Sequence, residues 1–244
     1  MSLEAKTVLV TGASSGLGQA CAGLLAERGA RVIAVGRNAE ALRQAFPDPH
    51  LALQCDVGEE ESVTALVQEL KRGPGPIHGW VMAAGVQEIR PLITESRRTL
   101  ENLWKTNVFG TLGVLAAALK ARLVARGGSI VLFSSVAATA GGPGLVSYAA
   151  TKGAIEGATH SLALELASQR IRVNAIAPGV VRTPMADKYL SRMTKEQAAA
   201  VEAAHPLGFG TPESVAEPVL FLLSDASQWI TGSVLLVDGG LSSH

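Results

Sequence analysis

Tyr148 and Lys152 stand four residues apart, and Ser135 lies thirteen residues before the tyrosine. On a helix, the i, i+4 spacing puts phenol and ammonium on one face. A free phenol has a pKa of about 10, too high for easy proton exchange at neutral pH. A neighbouring ammonium stabilises the phenolate and lowers that value. The tyrosine then serves as a general acid in one direction and a general base in the other. Ser135 would hold a substrate oxygen beside the phenol, in a productive geometry. Alone, the Tyr/Lys pair also fits the plain face of an amphipathic helix. Proton exchange with a carbonyl oxygen gains weight only beside an element that binds an electron carrier.

Thr11-Gly12-Ala13-Ser14-Ser15-Gly16-Leu17-Gly18 is the candidate for that element. Lys6–Val10 reads as a strand before it, and Gly16–Ala20 opens a helix after it. Glycines let a turn bend sharply and let phosphate oxygens approach backbone amides. The positive end of the helix favours a pyrophosphate. The spacing is Gly-x-x-x-Gly-x-Gly and no P-loop lysine follows, so the turn taken alone could be purely structural. The flanking strand and helix favour a dinucleotide.

The next strand ends Val35-Gly36-Arg37-Asn38. An acidic residue there would hold the ribose hydroxyls of NAD. Gly36 instead leaves room and Arg37 offers a cation to a 2′-phosphate, so NADP(H) is the expected cofactor, with NAD(H) as the alternative. The competing role for Arg37 is a solvated arginine opening the next helix. Asp56-Val57 follows the third strand, where Asp56 would accept from the adenine amino group or cap a helix starting near Glu59.

Apolar runs near Thr7–Val10, Val32–Val35, Leu51–Leu53, Trp80–Ala84, Ser129–Phe133, Val173–Ala177 and Ser233–Val237 alternate with helical stretches. The stretches lie near Leu17–Arg28, Glu59–Lys71, Leu100–Arg126, Ser147–Ala167 and Glu213–Leu223. Continuous apolar strands joined by helical crossovers predict an α/β fold with a doubly wound, Rossmann-like parallel sheet. The 244 residues show no linker or repeat, so one domain over residues 1–244 is expected. Residues 184–212 break the rhythm and read as a helical excursion, either closing over a ligand or lying on the surface without one.

At this point the chain resembles the short-chain dehydrogenase/reductase family, in its compact single-domain branch, over nearly its whole length. The glycine turn resembles the family's cofactor turn, which implies contacts from Gly12, Ser14, Ser15, Gly16, Leu17 and Gly18. Ala84 and Gly85, beside the adenosine ribose, join them. Asn107 is similar to the asparagine that kinks a helix and helps hold a proton-relay water. Ser135, rather than Ser134, matches the catalytic serine, and Tyr148-Ala149-Ala150-Thr151-Lys152 matches the active-site motif. The resemblance gives Lys152 a second task, donating to the nicotinamide ribose. Pro178, Gly179, Val181 and Thr183 resemble the segment at the nicotinamide end. The likeness implies seven parallel strands in the order 3-2-1-4-5-6-7 and NAD(P)-dependent chemistry on an alcohol/carbonyl pair. It also implies a homotetramer or homodimer through the helices of 100–126 and 147–167. One departure stands out: the family's Asn-Asn-Ala-Gly is Met82-Ala83-Ala84-Gly85 here, so two bracing amides are missing.

Composition narrows the partners. Lys+Arg and Asp+Glu number 21 each, which gives no electrostatic case for nucleic acid or an anionic membrane. Cys21 and Cys55 lack metal-type spacing, so no metal is expected. Few cysteines, no secretion signal and no run of membrane-spanning length point to the cytoplasm. Small residues after Ser135 and the apolar Met185, Tyr189, Leu190 and Met193 suggest a moderately apolar carbonyl substrate. Arg182 and Lys188 are the nearest candidates for a carboxylate clamp. Arg122, Arg126, Arg170 and Arg172 form either a patch for an acidic acyl carrier protein, as in 3-oxoacyl carrier-protein reductases, or two solvated helix ends. A non-catalytic dinucleotide-binding sensor on the same fold is the rival function. A nucleotide-sugar epimerase is disfavoured for want of an extra C-terminal domain.

Overall fold

The computed structural model describes every residue except Pro74 and His244. Seven strands form one parallel sheet in the order β3-β2-β1-β4-β5-β6-β7. They are β1 (Thr7–Thr11), β2 (Arg31–Gly36), β3 (Leu51–Gln54), β4 (Ile77–Met82), β5 (Val124–Phe133), β6 (Arg172–Pro178) and β7 (Val234–Val237). The helices are α1 (Gly16–Glu27), α2 (Ala39–Ala45), α3 (Glu60–Arg72), α4 (Arg97–Trp104), α5 (Thr111–Lys120), α6 (Ala137–Ala140), α7 (Val146–Leu166), α8 (Pro184–Leu190), α9 (Lys195–Ala203) and α10 (Pro212–Leu223).

The alternation along each strand explains the two helical layers. Leu9, Ile33, Trp80, Ile130 and Val173 face a core shared with Val63 and Leu66 of α3, Val114 of α5 and Ile155 of α7. Val8, Val10, Val32, Val81 and Ile176 face the opposite way, against Cys21 and Leu25 of α1 and Val215 and Val219 of α10. A sheet covered on both faces needs apolar residues at every position of its central strands, which is why β1 is buried throughout. Strand order reverses between β1 and β4, the switch point outside which open α/β sheets bind their ligands.

The helix expected over Leu100–Arg126 is broken into more than one piece. Between α4 and α5 the chain forms a π-helical segment, Lys105–Gly110, and helix ends at Lys120 so that β5 starts at Val124. Gly110 has Val57 at its shoulder, where an added Cβ would lie 2.8 Å from a Val57 methyl, so the widened turn fits closely under the β3 end. The short helix α2 opens just after Arg37, capped by Asn38, whose side chain accepts from the Ala41 amide at 3.1 Å.

Candidate functional site

The β1–α1 turn forms the floor of a groove of about 200 Å³. Its three glycines do different work. A Cβ on Gly12 would sit 2.9 Å from the Ala84 backbone, and one on Gly18 would sit 2.4 Å from the Gly12 carbonyl oxygen. Those two glycines seat the turn on β4 and the helix on the turn. Gly12 and Gly16 both take positive φ, +70 and +55, and a Cβ on Gly16 would face the Thr183 side chain at 3.7 Å. Ser15, the N-cap of α1, makes no side-chain capping bond, so the first-turn amides remain available to an external acceptor. Gly12, Ser14, Ser15, Gly16, Leu17, Gly18, Arg37, Asp56, Val57, Ala84, Gly85 and Thr183, all expected at the cofactor, line this groove. Asp56 accepts from the Gly58 amide at 2.9 Å, while Glu59 takes the N-cap position of α3. Gly36, Cys55, Val86 and Thr106 also line the groove. Cys55 and Thr106 adjoin predicted residues, a signal that neighbour positions could have given.

The second half of the site is a cavity of about 340 Å³ lined by Ser135, Tyr148, Lys152, Pro178, Gly179 and Val181. It meets the groove at Leu17, Ala83, Thr183 and Met185, which border both. Tyr148 and Lys152 lie within one turn of α7 and both are buried, at 8% and 5% exposure. The Lys152 ammonium is 5.6 Å from the Tyr148 ring centroid and donates to the Phe133 carbonyl at 2.8 Å. Burial pushes the Tyr148 phenol up to about 12, opposed by the Ser135 hydroxyl. That corrects the expectation of a phenol acidified by its lysine. Burial also brings Lys152 down to about 8, so the ammonium is itself destabilised. Ser134 and Ser135 both border the cavity, but the Ser134 hydroxyl is engaged, donating to Glu156 at 2.8 Å, whereas the Ser135 hydroxyl lies against the Tyr148 phenol.

Asn107 sits in the π segment at 1% exposure. Its amide oxygen accepts from the Val86 amide at 2.8 Å, and its nitrogen donates to the Val86 carbonyl at 2.9 Å and to Thr151 Oγ1 at 3.1 Å. It thereby ties the segment after β4 to α7 between Tyr148 and Lys152. A Cβ on Gly85 would stand 3.4 Å from Asn107 Oδ1 and 3.6 Å from Lys152 Nζ, so Gly85 lies where the two side chains meet. Such π turns recur at functional sites.

The excursion covers the cavity as α8 and α9. Met185 and Tyr189, one turn apart on α8, line it; Leu190 and Met193 do not. Arg182 is committed elsewhere, paired with Glu202 at 2.9 Å and lying over the Phe209 ring at 5.7 Å. Lys188 flanks a small recess with Gln87, Tyr189 and Arg192. Val201, Ala204 and His205 line the cavity from α9 and its end, although nothing in their sequence pattern announced them. Of the four arginines set apart as a patch, Arg172 turns inward: it donates to the carbonyls of Leu222 and Ser224 and to Ser227. The remaining three lie exposed, Arg122 and Arg170 in left-handed conformations at chain reversals.

A family model described as "Enoyl-(Acyl carrier protein) reductase" matches residues 12–242. Carbonyl reductase family member 4 of Danio rerio is 39% identical over 241 residues, spanning 97% of this chain and 98% of its own. The 3-oxoacyl-[acyl-carrier-protein] reductase of Mus musculus is 39% identical over 240 residues, with 97% and 98% covered. A solved "short chain dehydrogenase/reductase family protein" superposes with a TM-score of 0.88 at 37% identity, covering 99% of this chain and 100% of that one. The chain belongs to the short-chain dehydrogenase/reductase family. The aldohexose dehydrogenase of Thermoplasma acidophilum, in ligand-free form, shares the fold at TM-score 0.89 and 30% identity, with 99% and 96% covered.

As a short-chain dehydrogenase/reductase the chain is an enzyme, an oxidoreductase of a family that uses NAD(P)(H). The groove fits that cofactor: the uncapped first turn of α1 borders it, and Arg37, Asp56 and Thr183 line it. Met82-Ala83, where the family usually has two asparagines, is flanked by residues held from β1. Thr11 Oγ1 accepts from the Ala84 amide at 3.1 Å and lies within 3.5 Å of the Val81 carbonyl, so a buried hydroxyl bridges the two strand ends. Among the described residues no group of acids, histidines or cysteines is arranged to hold a metal.

Proposed function

We propose that this enzyme is an NADP(H)-dependent reductase of apolar ketones, with Tyr148 as the general acid. The observation that carries the reading is convergence: the Tyr148 phenol, the Ser135 hydroxyl and the Lys152 ammonium border one apolar cavity that opens on the dinucleotide groove. The cofactor, when bound, supplies the hydride to the carbonyl carbon. The chain's residues handle the oxygen. Ser135 donates to the carbonyl oxygen and fixes it beside the phenol. Tyr148 then delivers its proton as negative charge develops there. A phenol held up at about 12 is fully protonated at neutral pH, which loads the site for reduction. Lys152 places positive charge behind the phenolate that remains. Asn107 holds α7 and the segment after β4 in register.

The substrate class follows from the walls. Phe133, Leu145, Val180, Met185, Tyr189 and Val201 are mostly apolar, and Lys152 is the only charged side chain among the lining residues. A keto-acyl group fits as well as a free ketone, while the inward turn of Arg172 weakens the basic face an acidic carrier would need. One continuous sheet from β1 to β7 supports one domain, and no helix of the described residues is long and apolar enough to cross a membrane. We read the enzyme as cytoplasmic.

Tyr148→Phe tests the assignment. Turnover of ketones with NADPH should fall by about 10²- to 10⁴-fold, the usual worth of a positioned proton donor. NADPH binding, followed by its fluorescence, should stay within a few-fold. Unchanged turnover would remove Tyr148 from the mechanism.

A further inference from the structure

We infer that His205 is a positioning residue that fastens the substrate-covering excursion to the loop after β6, and that it does so as a neutral imidazole of one tautomer. The inference rests on the reductase reading of the cavity, which it extends to the question of what holds the cavity's outer wall in place.

His205 follows the end of α9 and is 3% exposed. Its Nε2 lies 3.1 Å from the Val180 amide, which can only donate, so Nε2 accepts. Its Nδ1 lies 2.8 Å from the Val201 carbonyl, which can only accept, so Nδ1 carries the proton. Both ring nitrogens are therefore used, and the imidazole joins α9 to the stretch that leaves the sheet. The ring edge also meets Phe209, with centroids 5.4 Å apart, and Phe209 in turn lies under Arg182. Backbone bonds repeat the same connection nearby: Gly210 donates to the Val180 carbonyl at 3.0 Å, and Arg182 donates to the Gly210 carbonyl at 2.9 Å.

These contacts make a clasp at a telling place. Val180 and Val181 line the cavity, and Thr183, two residues on, borders both cavity and groove. His205 is itself part of the cavity wall, as are Val201 and Ala204 from the helix it ends. Loosening the imidazole would release α9 from the wall while leaving Tyr148, Ser135 and Lys152 on their own elements. The cost should fall on substrate affinity rather than on the proton-transfer step or on the cofactor.

Gln and Met are close in shape, but only Gln offers a strong acceptor near the position of Nε2. In His205→Met the Val180 amide loses its partner; in His205→Gln it keeps one. The expected result is a ketone KM raised about tenfold in H205M, from the cost of one orphaned buried donor, and restored to within about threefold of wild type in H205Q. NADPH affinity and kcat should stay within twofold in both. Hydrogen exchange of the Val180–Arg182 and 195–204 segments should accelerate in H205M and not in H205Q, and this readout needs no turnover. Equal exchange in the two variants, or equal KM values, would overturn the inference, as would loss of NADPH binding in both. A wild-type enzyme that reduces no ketone would sink the reductase reading instead, while the exchange comparison would still decide the clasp.

Discussion

In the proposed reaction Lys152 should set the alkaline limit of the site. Burial lowers its ammonium to about 8, well below a lysine's ordinary 10.5, whereas the Tyr148 phenol stays protonated until about 12. The group that loses its proton first on raising the pH is therefore the lysine, and with it goes the charge that steadies the developing phenolate. Ketone reduction, measured as kcat/KM, should fall as pH rises through about 8 and approach tenfold per unit beyond it. A flat profile to about pH 10 would contradict this. The proposed preference for NADP(H) rests on Arg37. It lines the groove and none of the described acids pairs with it. Arg37→Ala should weaken NADPH binding by about 10- to 100-fold, the worth of a charge-assisted contact, and leave NADH nearly unaffected. Equal losses would reject a 2′-phosphate contact. At this scale the sequence was most legible where spacing itself constrains geometry. Tyr148, Lys152 and Ser135 border one cavity and the glycine turn borders the groove beside it; Ser135 was preferred to Ser134 on its spacing to Tyr148, and the Ser134 hydroxyl is engaged by Glu156. The phenol's pKa was not legible. It depends on how much protein covers the ring, which no local pattern encodes.

Elements were read well where the apolar period was unmixed. All seven strands overlap their expected positions, the central ones because strands buried on both faces appear as unbroken apolar runs; β5 alone starts five residues early, at Val124. The stretch 100–126 was read as one helix because Thr111–Lys120 and the flanking residues keep a helical period. The π turn at Lys105–Gly110 costs one extra residue in that period, too small a change to show in a pattern. Helix α2 was recognised only as something Arg37 would open; its seven residues offer a single buried position, Leu42. The bracing of β4 was the other gap. Two missing asparagines were visible, but the bond from the Ala84 amide to Thr11, 73 residues away, was not. Thr11→Val keeps the shape and removes the hydroxyl that receives the Ala84 amide. It should cost about 1–3 kcal/mol of unfolding free energy, the penalty for stranding a buried donor. Chemical denaturation measures this, and a variant as stable as wild type would show that β4 is braced in another way.

Two apolar faces lie on the outside of the molecule. Phe109 is 65% exposed beside α5 and Leu164 is 82% exposed on α7. Gly113, Gly153 and Gly157, on the same two helices, have open space where a side chain would stand. At the far edge of the sheet, Leu235 and Leu236 of β7 are 38% and 48% exposed. An unpaired apolar edge strand and a smooth apolar helix pair both seek partners. Two distinct self-complementary faces build a tetramer with dihedral symmetry, whereas one builds a dimer. We expect a tetramer for the wild type by light scattering and a smaller species for Phe109→Glu/Leu164→Glu. A wild-type mass of 25.2 kDa in solution would refute the assembly.

The detour between β6 and α10 bears on how such an enzyme changes its diet. Its outer wall is one uninterrupted stretch of chain, and two of the links that moor it, Gly210 to Val180 and Arg182 to Gly210, run from main chain to main chain. Those moorings do not depend on which side chains the stretch carries. A breeder of new catalysts could therefore exchange residues 184–204 as a cartridge, retargeting the enzyme while its chemical engine stays bolted to the sheet.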